Sequence, residues 1–159
     1  MEQPEYCRIC VRGIIYKNGT LLAQELKDKH GNPRGFWCTP GGGVDMYEDL
    51  HEACRREMIE ETGVEPKIGR LLFIQKFSDG TQGPHGESEQ LELFFLIENP
   101  DDYMEIDLAA TSHGEIEIAV CDFIDPKTAP ILPAFLRTLD LDDYVNNVRP
   151  VYFYDEHRV

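Results

Sequence analysis

The sequence predicts a layered domain of mixed helix and strand, α/β or α+β in class. Three observations predict it. Runs of alternating apolar and polar residues recur on both sides of one long helical segment. That segment carries its own start and stop signals. A short second helical run closes the series, and elements in this order bury their apolar faces by stacking in layers.

The elements follow in order. Residues 6–16 alternate, with Cys7, Ile9, Val11, Gly13 and Ile15 on one face and Arg8, Cys10, Arg12 and Ile14 on the other. Asn18-Gly19 is a hairpin-turn pair, and a second strand runs near Thr20–Glu25. Residues 26–35 form a polar loop. Gly35-Phe36-Trp37-Cys38 then leads to a glycine loop at Pro40-Gly41-Gly42-Gly43. Asp49 is placed to cap a helix, with Glu52 as its capping-box partner. Gly63 suits the left-handed position after the last turn, and Pro66 bars continuation. Lys67–Phe77 reads as a strand, residues 78–89 as a long loop of the kind that binds ligands, and Leu91–Ile97 as a strand. Residues 99–114 are acidic and irregular. Glu115–Asp122 alternates again, and a short helix is expected within Ile131–Leu139, starting near Pro133.

With 159 residues the chain is expected to form a single domain, residues 1–159, with a C-terminal extension over 142–159. A chain of this length buries roughly 70% of its unfolded surface, so no covalent staples are needed. The net charge of −15 argues against nonspecific binding to nucleic acid or anionic membrane. No apolar run is long enough to span a bilayer, and no secretory leader is recognisable. Five cysteines make an odd number, so a reducing, cytoplasmic setting is expected. Cys7-x-x-Cys10 lacks a second ligand pair, and on a strand its two thiols point to opposite faces. The cysteines are read as small buried hydrophobes.

Residues 42–64, GGVDMYEDLHEACRREMIEETGV, decide the chemistry. On a helical wheel Leu50, Ala53, Cys54 and Met58 share one side. Glu57 and Glu61 fall in the middle of that side, and Glu60 at its border. Acids on helices ordinarily form a solvated face. These share the apolar side, where a carboxylate is costly without a cation or hydrogen-bond donors. Spaced i, i+3 and i+4, the three converge on one volume, and Arg56 alone is too little to neutralise them. A divalent cation held by oxygen ligands is the natural counter-ion.

Gly42, five residues, Glu48, seven residues, Arg56-Glu57-Met58, any residue, Glu60-Glu61, any residue, Gly63-Val64 matches the whole Nudix box. The chain therefore resembles the Nudix hydrolase family. The box covers 23 residues, and the surrounding strand pattern extends the resemblance over residues 6–140. The resemblance implies an α/β/α sandwich with a mixed β-sheet. It also implies Mg²⁺-dependent hydrolysis of a pyrophosphate bond in a nucleoside diphosphate derivative or nucleoside triphosphate, with Mn²⁺ as a substitute. Hard oxygen ligands suit these ions better than zinc. Glu57, Glu60 and Glu61 would hold the metal, with the carbonyl of Gly41. Glu57 is alternatively the base that activates water. Arg56 would orient these acids, and Glu48 would be structural.

The family often adds one acid from beyond the box. Glu117 is the first choice and Glu115 the second, with Glu87 and Glu89 behind them; the plain alternative is a solvated strand face. Arg8 and Arg12 share a strand face and, with Gly42, are the candidate substrate-binding residues. Surface charge balancing nearby acids explains the two arginines equally well. Phe36 and Trp37 are read as core before base-stacking residues, and His30 and His85 as solvated loop residues. The sequence markers that subdivide the family are absent; Asp79 and Gly80 stand where the ADP-ribose group carries a proline. The competing reading is a Nudix-like sensor that binds a nucleotide without cleaving it. The expected partner is a small nucleotide. The apolar segment Val148–Tyr154 is expected to dock on the chain's own sheet edge or across a homodimer interface, with Pro150 confining it to an edge.

Overall fold

The computed structural model describes residues 7–83 and 86–156; the side chains of residues 79–88 lie outside that description, and with them His85 and Glu87. Strand β1 (Cys7–Ile14) forms as its alternation predicts. The Asn18-Gly19 pair turns with both residues at positive φ, joining β2 (Tyr16–Lys17) to β3 (Thr20–Leu26). The Pro40–Gly43 segment, expected as a loop, contains a strand instead: β4 (Gly41–Gly43) pairs antiparallel with β1. Its bare backbone reaches the sheet because no side chain intervenes.

Helix α1 (Leu50–Thr62) has the expected ends. Asp49 Oδ1 accepts hydrogen bonds from the His51 and Glu52 N–H groups, and Gly63 closes the last turn at φ 74°. Ala53, Cys54 and Met58 are buried, as the wheel predicts. Strands β5 (Ile68–Gly83) and β6 (Gly86–Ile97) form one antiparallel hairpin. The loop expected at 78–89 is thus strand: Ser78 pairs with Glu89 and Gln82 with Glu87, across a register shift. Polar composition hid it, because residues 78–89 carry no apolar alternation to mark a strand.

Glu115–Asp122 also differs from expectation. A helical turn, α2 (Gly114–Glu117), precedes strand β7 (Ile118–Ile124). Thr111 Oγ1 accepts from the Gly114 N–H, and the His113 carbonyl accepts from the Glu117 N–H, which winds the chain before the strand begins. Glu115 and Glu117 therefore lie on a turn and share no strand face. Helices α3 (Phe135–Thr138) and α4 (Leu141–Asn146) follow, α3 shorter than expected. Strand β8 (Tyr152–Asp155) then pairs parallel with β5, on the chain's own sheet edge.

The larger sheet is mixed, in the order β4-β1-β6-β5-β8; a smaller one runs β2-β3-β7. Val11, Phe95 and Ile97 face α1, together with Met58 and Tyr103. Ile14, Phe73, Phe94 and Leu96 face the other way, against Phe135, Leu136 and Leu141 of α3 and α4. The large sheet thus lies between two helical layers, the expected α/β/α arrangement. Trp37 packs at the border of the second core, in keeping with its structural reading. Among the described residues no helix is long and apolar enough to cross a membrane.

Candidate active site

A cavity of about 430 Å³ opens where the β4 edge, the second half of α1, the chain from Leu26 to Arg34, and α2 meet. It brings together most of the residues expected from the sequence. Glu57, Glu60, Glu61, Glu117, Gly41, Gly42, Arg8 and Arg12 all line it. Arg56 stands behind the acids, and Glu115 offers only its carbonyl, to Lys27 Nζ.

The glycine strand makes the approach possible. Gly42 pairs with Val11 and so faces α1. A Cβ there would sit 2.6 Å from the Glu57 carboxyl. Gly41 adopts φ 148° and presses on the Val11 carbonyl, which no side chain would permit.

Each acid has a distinct setting. Glu61 is 4% exposed; its Oε2 accepts from the Gly41 N–H at 2.9 Å and from Gln24 Nε2 at 3.2 Å. Burial pushes its carboxyl up to about 7 against the opposing pull of Arg12 and the Gly41 N–H. Burial also raises Glu57, opposed by Arg56. Glu60 lies nearer the surface, with its Oε2 3.3 Å from Arg56 Nη1 and 3.3 Å from His113 Nδ1.

Arg56, expected to orient the acids, is bonded to several of them. It donates to both Glu48 oxygens at 2.8 and 3.0 Å, to Glu57 Oε1 at 2.8 Å and to the Gly43 carbonyl at 2.9 Å. The bond from Arg56, with the Asp45 N–H, holds Glu48 down at about 2. Arg12 is also committed. Its guanidinium pairs with Glu92 and donates to the carbonyls of Thr39 and Gly41 at 3.1 and 3.3 Å. Burial alone would lower its pKa, but Glu92 carries it above the ordinary value. It thus supplies the second cation that Arg56 could not be, and the Gly41 carbonyl faces it.

Sequence reasoning missed Gln24, Glu92 and His113. Glu92 shared its strand face with Phe94, and an acid on a core face was the available signal. Gln24 follows three buried apolar residues in β3 and is itself buried. Nothing local marked His113, which reaches Glu60 only because the helical turn of α2 brings it there.

The model for the NUDIX domain matches residues 8–139. The chain belongs to the NUDIX family. Its relatives include an ADP-ribose pyrophosphatase of Methanocaldococcus jannaschii, 37% identical over 90 residues, covering 57% of this chain and 50% of that protein. They also include a nucleoside triphosphatase NudI of Enterobacter sp. (strain 638), 31% identical over 98 residues, covering 57% of this chain and 65% of that protein. The matches thus span between half and just under two thirds of these curated relatives. Among solved structures, the E. coli ORF135 protein superposes with a TM-score of 0.62 at 20% identity, over 92% of this chain and 95% of that one. A MutT NUDIX hydrolase from Burkholderia pseudomallei gives 0.59 at 19% identity, over 91% of this chain and 100% of that one. These likenesses show the NUDIX fold.

In the described side chains no three acidic, histidine or cysteine groups converge tightly enough to hold a metal ion. The reason is visible: Arg56 holds Glu57 and Glu60, while Gly41 and Gln24 hold Glu61. The donor set still fits a hard divalent cation, because the carboxylates line one cavity and burial of Glu61 and Glu57 favours a compensating positive charge.

Proposed function

We propose that this NUDIX domain hydrolyses a pyrophosphate bond in a nucleoside diphosphate derivative or a nucleoside triphosphate, with Mg²⁺ or Mn²⁺ as cofactor. The observation that carries this reading is the meeting of Glu57, Glu60, Glu61 and Glu117 with the bare Gly41–Gly43 backbone in one cavity. Glu57, Glu60 and Glu61 would hold the metal, with Glu117 as the acid from beyond the box and the Gly41 carbonyl as a further ligand. When bound, the cation screens the phosphate charge and polarises phosphorus.

The chain's own residues do the rest. In its alternative role, as base in place of metal ligand, Glu57 is bound by Arg56 through Oε1 and takes the proton of the attacking water on Oε2. Water adds to phosphorus and the anhydride oxygen leaves with the second product. Arg12 acts on the site by holding the Thr39 and Gly41 carbonyls in place. Arg8 lines the same cavity with its guanidinium exposed. The names of the two relatives support both a diphosphate-linked and a triphosphate substrate.

Product analysis tests this reading. The protein is incubated with ADP-ribose, nucleotide sugars and nucleoside triphosphates, with Mg²⁺ or with excess chelator. Metal-dependent release of two phosphate-bearing products is expected. Tight nucleotide binding without any turnover would make the protein a sensor and overturn the hydrolytic reading.

A further inference from the structure

Four cations line the cavity, and they divide into two kinds. Arg12 is bound to Glu92 and to two carbonyls, and Lys27 Nζ is bound to the Glu115 carbonyl. These two hold the walls together. Arg8 and Arg34 are different: both are exposed, and neither guanidinium has a hydrogen-bonded or ion-paired partner among the described residues. In a chain with 30 acids against 15 Lys and Arg, two such guanidiniums meeting in one cavity call for an anion.

Both arginines are positioned. A Cβ on Gly43 would sit 2.8 Å from Arg8 Nη2, so the Arg8 guanidinium lies along the backbone of β4. The neighbouring Gly42 faces Glu57, and successive strand residues point to opposite faces. The glycine strand therefore separates Arg8 from Glu57. Arg34 stands on a loop closed upon itself. Asp28 Oδ1 accepts from the His30 and Asn32 N–H groups, the Asp28 carbonyl accepts from Gly31, and the Arg34 N–H bonds to the Leu26 carbonyl. Asp28 also lines the cavity, with its carboxylate engaged in holding that loop.

We infer that Arg8 and Arg34 form an anion subsite for a phosphate beyond the bond to be cleaved, which selects nucleoside triphosphates over nucleotide sugars and ADP-ribose. The inference rests on the hydrolytic reading above and adds the substrate class. In a diphosphate-linked sugar, both phosphates belong to the bond that is cut, and the group beyond is neutral. A triphosphate carries one more anionic group, and the two free guanidiniums match it.

The test compares Arg8→Gln, Arg34→Gln and a control, Lys29→Gln, an exposed cation of the same loop that does not line the cavity. With ATP and Mg²⁺, each arginine variant is expected to lose about tenfold or more in kcat/KM, mainly through KM, as for loss of a hydrogen bond between charged groups. With ADP-ribose, each is expected to change less than about twofold, the spread of ordinary surface substitutions. Lys29→Gln is expected to match the wild type on both. Equal losses on both substrates, no loss on ATP, an equal loss in Lys29→Gln, or a wild-type preference for ADP-ribose would each overturn the subsite. A second measurement needs no turnover: calorimetric binding of inorganic tripolyphosphate in the presence of Ca²⁺. Weaker binding in both arginine variants supports the subsite even if the wild type hydrolyses nothing, in which case only the hydrolytic reading fails. Unchanged binding in both overturns it.

Discussion

Arg12 Nε lies 2.5 Å from Glu92 Oε2, and Gln75 Nε2 bonds the other oxygen of Glu92 at 3.0 Å. Glu92 is 5% exposed and the Arg12 side chain 18%. Removing one member of such a pair leaves a charge without its partner. Glu92→Gln and Arg12→Met are each expected to cost about 3–5 kcal/mol in denaturant unfolding. The double variant Arg12→Met/Glu92→Gln is expected to cost less than their sum. Strict additivity would mean the two charges do not act as a pair.

Glu61 imposes a pH dependence on stability. Burial holds its folded carboxyl up at about 7, above the ordinary value of 4.5. Between those two values the folded state binds more protons than the unfolded one. Stability from this group therefore falls as pH rises through that window, and levels off above about 7. Glu61→Gln removes the burden. Relative to the wild type it is expected to gain on the order of 2–3 kcal/mol at pH 8 and much less at pH 4.5. Equal effects at both pH values in thermal unfolding would contradict the shift. Divalent cation should stabilise the wild type most at pH 8, where the carboxylate is charged.

Activity should follow the acids. Glu57→Gln, Glu60→Gln and Glu61→Gln are each expected to lower kcat on the order of 10²-fold or more, with the far-ultraviolet circular dichroism retained. Excess EDTA should abolish turnover, and Mg²⁺ or Mn²⁺ should restore it. Full turnover in chelator, or a near-normal rate in any of the three variants, would remove the proposed metal chemistry.

The C-terminal strand should stabilise the fold to which it docks. Tyr152 packs edge-on against Phe73 and tilted against Phe135, with ring centroids at 6.5 and 5.2 Å. Arg70 further ties the preceding turn through the carbonyls of Tyr144, Val145 and Asn147. Deleting residues 146–159 is expected to lower stability by about 3–5 kcal/mol, as for loss of a packed aromatic side chain. Light scattering is expected to give the same number of chains per particle before and after. A fall in that number would mean that the tail also holds a second copy.

Much of this was legible in the sequence, for definite reasons. Helix α1 was clear because Asp49 and Gly63 fix its ends and Ala53, Cys54 and Met58 mark its buried side. Glu57 and Glu61 were conspicuous on that same side. What escaped was set by tertiary contact. The β4 strand exists only because β1 offers its edge to three glycines, which have no strand propensity of their own. Residues 78–89 carry no apolar alternation, so no periodicity announced the β5–β6 ribbon. Arg12 read as a substrate-binding or surface cation, and not as a wall-holding one, because Glu92 lies 80 residues away. The α2 turn depends on Thr111 and His113, whose hydrogen bonds override the alternation of the residues that follow.

One wall of the cavity is main chain: Gly41, Gly42 and Gly43 present peptide groups and nothing else. Such a wall cannot be tuned by substitution. A side chain at Gly42 displaces Glu57, one at Gly43 displaces Arg8, and one at Gly41 breaks the pairing with β1. Adaptation to a new substrate is thereby confined to the facing wall, where residues 29–34 can change without disturbing the acids. The protein is divided into a half that must stay as it is and a half that is free to choose, and directed evolution of its selectivity should draw its mutations from the second.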